Sequence, residues 1–551
     1  MRKKLVTVLL LAVLSLSIGG VLTATTKAAT KEDIEASGAT AVAHLAIVQS
    51  SDGSWGSANP IATTGLVLLK FVVRAQELDL DPFDNDPLSP TYFEYADNTI
   101  AGFDYLLGSA YDVPISLQTH GDPDTNGNGK GITFGYGQVY YSGIALTAIA
   151  ICGHPDDRSA TIGTLGLLTY REIAQDIADW LYYAQGDLGN DRGGFNYDAL
   201  DNVEERTDNS NGGYAYLGIA FAEDPPFNCV VPDWVRQELN IYIDYIQNDV
   251  NGDTNDGGSG YDGPDNWVNI LKTGNLIFEM AFYGDTPDTP RVQDAVDYLE
   301  RHWQDPNVDP GWGYSLPTAD YQAKFLVEKG LTYMGIKELD TDGDGDKEDW
   351  FNQEPPAIPP QDFASVIVQQ QLPSGAWPTS QWDYEPGSIL STAWAVLTLE
   401  RFAPPPQPIL AYVDLKPGSW PNPIEIVSKG VLPVAICGTE DFDVRTIDPS
   451  TVKIYIEGNE EGVSPIRWSY EDVATPYTGP PEGGHALRRD GYLDLVFHFD
   501  TKAVVALDLA SHVGETIPLI VRGNLREADG GTAIQGQDYA RIMASAPKNA
   551  L

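Results

Sequence analysis

Asp340, Asp342 and Asp344, with Gly345 behind them, set carboxylates at alternate positions and a glycine where the chain must turn sharply. The spacing D-x-D-x-D-G wraps hard oxygen ligands about one divalent cation, and calcium is the expected ion. Asp346 would add a carbonyl, and Glu348 or Asp349 a carboxylate. Position twelve is Phe351, so a bidentate glutamate is absent there and another segment must complete the shell. Asp124, Asn126 and Asn128, followed by Gly129, repeat the pattern with weaker ligands, and Asp249, Asn251 and Asp253 repeat it without the glycine. The competing reading of all three is a solvated acidic loop. Zinc is not expected: the seven histidines form no i, i+4 pair.

A second set of residues joins aromatic rings to carboxylates. Trp55, Tyr136, Tyr140, Phe195, Tyr197, Tyr261, Trp312, Tyr314, Trp377, Trp382 and Tyr384 recur around glycine-rich turns, with Asp198, Asp208, Asp262 and Asp320 nearby. Rings that stack on sugar faces, beside acids that accept hydroxyl hydrogen bonds, would make a glycan-binding cleft. The cleft candidates are Tyr197, Asp198, Asp208, Asn211, Asp262, Tyr314, Asp320 and Trp382. The alternative is that turn aromatics are wedges between neighbouring elements, the favoured reading for Trp55 and Trp377. Paired carboxylates hydrolyse glycosides at suitable separations, and a Tyr or His can start a β-elimination, but sequence does not fix those separations.

The elements that position these turns form a repeat. An amphipathic helix over Lys31 to Gln49 leads through I-V-Q-S-S-D-G-S-W-G into a helix that is apolar nearly all round, ending at Phe71. A helix with no polar face must be buried on every side. The unit returns with outer helices near 98–107, 171–184, 235–246, 292–303 and 363–371. Its inner helices fall at 141–151, around 209–220, and at 267–282, 321–333 and 389–399. Asp79 to Pro90 reads as a surface loop. Twelve helices alternating in this way, with a period of roughly 50 to 65 residues, predict a closed α6/α6 double ring, with an open solenoid as the alternative.

Q-x-x-D-G-S-W-G before a buried helix resembles the repeats of squalene cyclases and protein prenyltransferases, the α/α-toroid superfamily, over residues 33–403. The resemblance implies that Gln49 or Gln370, with Trp55 and Trp377, ties one helix end to the next. It leaves the chemistry open. The acid motif D-x-D-D of the cyclases has its nearest match in Asp208-Asn209-Ser210-Asn211, which keeps only the first carboxylate. Asp208 in that position equally suits a helix cap. The prenyltransferase set of Asp, Cys and His around zinc finds no counterpart.

Residues 1–28 read as a signal peptide: Arg2, Lys3 and Lys4, an apolar run from Leu5 to Leu16, then small residues including Thr26 and Ala28. An uncleaved anchor is the alternative. Export is therefore expected, to the medium or the cell surface, with no membrane span once the leader is removed. The chain carries 79 acidic and 33 basic residues, a formal charge of -46, which repels nucleic acid and attracts cations. Three cysteines make no disulfide framework. Cys152 and Cys229 follow neighbouring inner helices and could pair, while Cys437 reads as core.

Pro404 to Pro408 forms a stiff linker, placed at 404–409. Beyond it, over 410–547, short alternating strands with Gly, Pro and Asp turns predict a β-sandwich. V-D-L-K-P-G-S-W-P-N-P and the apolar run V-L-P-V-A-I-C look like an accessory domain of secreted archaeal and bacterial proteins. The sequence thus predicts a mainly α protein, a toroid followed by a β-sandwich, monomeric and calcium-stabilised, with a glycan in the toroid cleft. A polysaccharide lyase or hydrolase is the alternative, a degenerate cyclase-like enzyme a more distant one, and a structural surface spacer the third.

Overall fold

The computed structural model describes residues 28–544, apart from 136, 200–205, 306–319, 355–356, 358–360, 405–407, 440–441, 457–461, 480–482 and 527–530. Residues 1–27 of the expected signal peptide, Tyr136, Trp312, Tyr314 and residues 405–407 of the expected linker lie outside the described residues.

Among the described residues, twelve α-helices run in chain order to residue 399. They are α1 (Lys31–Ile47), α2 (Pro60–Glu77), α3 (Ala96–Gly108), α4 (Val139–Ile151), α5 (Tyr170–Ala184) and α6 (Asn209–Glu223). There follow α7 (Asp233–Ile246), α8 (Ile270–Tyr283), α9 (Pro290–His302), α10 (Tyr321–Met334), α11 (Phe363–Gln370) and α12 (Ile389–Leu399). Each even-numbered helix packs on the next even one, and α12 packs back on α2, so the inner ring is closed. All of α12 is buried, as an all-round apolar helix requires. The odd-numbered helices form the outer ring; α7 buries the stripe Val235, Leu239, Tyr242, Ile243 and Ile246, whereas α5 is buried over most of its length. Gly143 and Gly274 let inner backbones touch: a Cβ on the first would press on the backbone of Tyr214, and on the second on that of Val327. No helix among the described residues is long and apolar enough to cross a membrane.

A glutamine at the end of an outer helix fastens each of four units to the next. The Gln49 amide donates to Gly53 O and to Asn98 O near the start of α3, both at 2.9 Å. Gln185 donates to Gly193 O at 3.2 Å and to Val235 O of α7 at 3.0 Å. Gln247 donates to Gly257 O at 3.0 Å and to Arg291 O of α9 at 2.8 Å. Gln371 donates to Gly375 O at 3.0 Å and to Ser37 O of α1 at 2.9 Å, which closes the outer ring. Gln371 therefore takes the role expected of Gln370, whose amide oxygen accepts instead from the Tyr321 hydroxyl. The turn glycine is needed twice over. Gly53 and Gly257 hold φ of 88° and 84°, and a Cβ on either would collide with the carbonyl of Ala101 or Asp294 on the facing outer helix. Trp55 and Trp377 are fully buried, and each donates its ring N–H to the carbonyl ten residues earlier, Leu45 or Ile367, at 2.7 Å. They are wedges, not ligand platforms.

Two differences from the sequence reading have local causes. The inner helix predicted from Trp267 starts at Ile270, because Trp267 has φ of 50° and Asn269 caps the helix through Lys272 N. The segment before α4, read from sequence only as part of a glycine-rich turn region, holds a strand, Lys130–Phe134, which pairs antiparallel with Ala110–Pro114.

The C-terminal region is a β-sandwich with its own core. One sheet has the order β6-β7-β4-β2 (Arg467–Glu471, Asp494–Asp500, Val431–Ile436, Val413–Leu415). The other has the order β5-β8-β9-β1 (Ile447–Ile456, Thr516–Leu525, Ala533–Met543, Ile409–Leu410). β3 (Asn422–Glu425) pairs in parallel with the far end of β9. Leu432, Val434, Phe497 and Phe499 of the first sheet meet Ile454, Val521 and Ile542 of the second. Cys152, Cys229 and Cys437 are all free and buried. Cys152 and Cys229, which the sequence left open to pairing, are not bridged, and burial pushes both thiols up to about 12.

Candidate functional site: an aromatic cavity at the mouth of the ring

The six inner helices run in the same sense, so their N-termini surround one end of the ring axis. Helix N-termini leave N–H groups without helical partners, and acids recur here to accept from them. Asp208 Oδ1 accepts from Ser210 N of α6 at 2.8 Å, and Asp320 Oδ1 from Ala323 N of α10 at 2.9 Å. Asp383 Oδ2 accepts from Ser391 N of α12 at 2.8 Å. Glu385, from the turn before α12, reaches across to the turn entering α2. Its carboxylate accepts from the N–H groups of Ser57 (2.5 Å), Ala58 (2.9 Å) and Asn59 (2.6 Å) and from the Thr63 hydroxyl (3.2 Å). This clasp joins the last unit to the first.

Between the capped ends lies a cavity of about 480 Å³ to which every inner helix contributes. Ala62 and Leu66 of α2, Ile144 of α4, Leu271 of α8 and Leu390 of α12 make its apolar floor. Tyr140 and Tyr141 of α4, Tyr214 of α6 and Trp394 of α12 wall it, and Tyr197, Tyr261, Trp267, Trp382 and Tyr384 come from the turns. Polar atoms are few: Asn59, Gln138, Ser210, Lys272 and Gln322. A largely apolar hollow with a few convergent polar groups has the form of a ligand site.

The rings hold one another. Tyr140 and Tyr197 stack with centroids 6.2 Å apart, Tyr140 meets Tyr214 at 4.9 Å, and Trp267 meets Trp382 edge-on at 5.8 Å. The Lys272 ammonium sits 3.9 Å from the Trp267 ring centroid and 5.3 Å from that of Tyr261, a cation–π arrangement. Trp394 Nε1 donates to the Tyr214 hydroxyl at 3.1 Å, and the Tyr141 hydroxyl to Asn59 Oδ1 at 2.9 Å. Trp267 and Trp382 both occupy the left-handed region, with φ of 50° and 68°. Bulky residues held there carry strain of order 1 kcal/mol or more, a cost concentrated at functional positions. Tyr384 is 70 % exposed, Tyr197 40 % and Trp267 38 %, so ring faces remain open at the mouth.

Of the sequence candidates, Tyr197 and Trp382 line the cavity. Asp208 is fully buried behind it. Burial raises its pKa, while hydrogen bonds from Ser210 and Tyr261 and the nearby Lys272 charge act against that rise. Asn211 is buried within α6, Asp198 bridges Gln138 through backbone, and Asp320 is a helix cap. Asp262 accepts from the Asn266 amide and lies 3.6 Å from Arg206. The cavity lining holds none of these four, and among the described residues it holds no carboxylate. Trp267, Lys272, Tyr214 and Trp394 were not singled out from sequence, because aromatic residues in an all-apolar helix read as core.

Two of the acidic loops, at Asp340 and Asp124, share one geometry. Asp340 Oδ1 accepts from Gly343 N at 2.6 Å and Oδ2 from Gly345 N at 3.0 Å, with Asp342 and Asp344 each accepting from the N–H two residues on. Asp124 accepts from Gly127 N and Gly129 N in the same way, and Asn126 and Asn128 accept from the N–H two residues on. One oxygen from each of Asp340, Asp342 and Asp344 lies within 4.8 Å of the others. Glu348 accepts from the Thr341 hydroxyl at 2.5 Å. In the first loop the Asn126 and Asn128 amides donate to Asp176, buried in α5. The loop at Asp249 lacks this pattern.

No family model matches the chain, and no curated protein sequence matches it. Among solved structures, the GH76A alpha-1,6-mannanase from Salegentibacter sp. HEL1_6 is similar at 12 % identity and a TM-score of 0.40, over 67 % of this chain and 98 % of that one. An inactive variant of the same enzyme in complex with alpha-1,6-mannotetrose is similar at 10 % identity, with the same TM-score and coverage. At that TM-score the closed ring rests on its own helix contacts.

Proposed function

We propose that this protein binds a saccharide chain in the aromatic mouth of its toroid, as an exported or cell-surface protein stabilised by calcium. The observation that supports the reading most is the cavity's composition. Ring faces from all sides surround a hollow of about 480 Å³ with a few hydrogen-bonding groups and no lining carboxylate among the described residues. Aromatic planes stack on the apolar faces of pyranose rings, and Asn59, Gln138 and Gln322 suit hydroxyl groups. Export is supported by the leader-like sequence at the N-terminus. Calcium is supported by the convergence of Asp340, Asp342 and Asp344 and by the matching geometry of the loop at Asp124.

A hydrolase or lyase is the second reading. It is favoured by Asp208, a buried acid of raised pKa whose Oδ1 accepts from the Ser210 hydroxyl at 2.6 Å at the cavity wall. Size-exclusion of a polysaccharide panel incubated with the full chain separates the two. Binding moves a polysaccharide to larger apparent size together with the protein, whereas an enzyme shortens it. Profiles unmoved for every polymer would contradict both and leave the spacer.

A further inference from the structure

The β-sandwich buries several polar oxygens around its second strand, apart from the toroid. Between β1 and β3, which pair with opposite ends of β9, the chain leaves this sheet edge to enter the other sheet as β2. Strand alternation sends Val413 and Leu415 of β2 into the core and Asp414 to the opposite face, beside Ala435. Asp414 is nevertheless only 7 % exposed, and its Oδ2 has no hydrogen-bond partner. At the gap between β1 and β3, Asp538 of β9 accepts through Oδ2 from Leu415 N at 2.7 Å and from the Asn422 amide at 2.9 Å. Asn422, 1 % exposed, also donates to Tyr539 O at 3.1 Å, and its Oδ1 has no donor. Asp494 is fully buried, and its carboxylate is taken by the N–H groups of Gly438, Val473 and Ala474.

The charges that act on Asp414 are those of Asp538 and Asp494. No described cation offsets them by an ion pair. The ion pairs of this domain, Arg445 with Asp443 and His512 with Glu515, lie elsewhere. Lys416 gives its ammonium to Pro423 O at 2.8 Å, and His485, whose charge acts on Asp538, faces Pro476 O. Buried carboxylates without a partner are costly. The neutral amide oxygen of Asn422, equally buried and equally without a donor, is an acceptor that repulsion between acids does not explain. Carboxylate and carbonyl oxygens without nitrogen or sulfur select a hard divalent ion.

We propose that Asp414, Asn422 and Asp538 hold a calcium ion that pins β2 and β3 to β9, with water completing its shell. Asp494 supplies charge to this site and no ligand. The ion would fasten the crossover between the sheets, where the edge of β9 lacks a strand. This site belongs to residues 410–543 and is independent of the acidic loops of the toroid.

The test is backbone hydrogen exchange of the full chain in calcium and in chelator, read separately for peptides covering 410–425, 533–543 and 338–349. At free calcium about 100 times the Kd, opening of the first two segments falls about 100-fold, and Asp414→Asn removes that response. The same substitution leaves exchange across 338–349 unchanged, and in chelator it leaves 410–425 at least as protected as in the wild type, because a repelling charge is gone. Exchange of 410–425 and 533–543 that is indifferent to calcium in the wild type, or a full calcium response in Asp414→Asn, would overturn the site.

Discussion

At the scale of single residues, the acids around the mouth of the ring divide into those that cap inner helices and one, Glu385, that clasps the last unit to the first. Asp208, Asp320 and Asp383 each satisfy the N-terminus of an inner helix. The place of Asp208 and Asp320 near glycine turns was legible in sequence, but their role was not, because a cap and a ligand need the same residue, and Asp383 was not singled out. Glu385 gave no signal at all, since its partners lie more than 320 positions away. Burial alone would raise its pKa. The N–H groups of Ala58, Ser57 and Asn59 and the Thr63 hydroxyl together outweigh burial, so the pKa lies below the ordinary glutamate value. A carboxyl depressed in the folded state adds stability that is complete above the unfolded-state value, about 4.3, and is lost as pH falls through the folded value. Glu385→Gln should therefore be destabilised by about 1.5 to 3 kcal/mol at pH 7, and the gap to wild type should close below about pH 4.3. Denaturant melts across pH check this. A gap that stays constant down to acid pH would contradict the clasp.

At the scale of elements, the repeat is carried by a glutamine, a glycine and a buried helix, and the tryptophan is a local addition. Gln49-Gly53-Trp55 and Gln371-Gly375-Trp377 keep one spacing, of which the sequence reading caught Gln49 and both tryptophans but took Gln370 in place of Gln371. Gln185 and Gln247 make the same ties over longer loops without a tryptophan, so no motif flagged them. Closure of the inner ring was legible because all-round apolar helices need neighbours on every side. The strand at Lys130–Phe134 was not, because its partner sits beyond a loop of variable length. Gln185→Ala leaves Gly193 O and Val235 O without this donor in a buried place and should cost about 1 to 3 kcal/mol. Calorimetry on this variant and on Gln371→Ala should show similar losses. A loss under about 0.5 kcal/mol, the range of ordinary surface changes, would show that the ties do not hold the units together.

At the scale of the whole molecule, toroid and sandwich have separate cores that share no residue. Two unfolding transitions are expected by calorimetry, and chelator should lower both. At free calcium about 100 times the Kd, each site contributes about 2.7 kcal/mol. Asp340→Asn with Asp342→Asn should remove the response of the toroid transition alone. Transitions insensitive to chelator would leave the loops as solvated acidic turns. The proposed saccharide site lies at the mouth of the ring, where Trp267 and Trp382 line the cavity from strained backbone. The most direct test is titration calorimetry of the full chain with oligosaccharides from a polysaccharide it retains, in wild type and in Trp382→Ala. Loss of one stacking ring should weaken binding by about 1 to 2 kcal/mol, roughly tenfold in Kd, while both unfolding transitions remain. Binding of equal strength in Trp382→Ala, or no binding to any polysaccharide by the wild type, would contradict a saccharide site in this cavity.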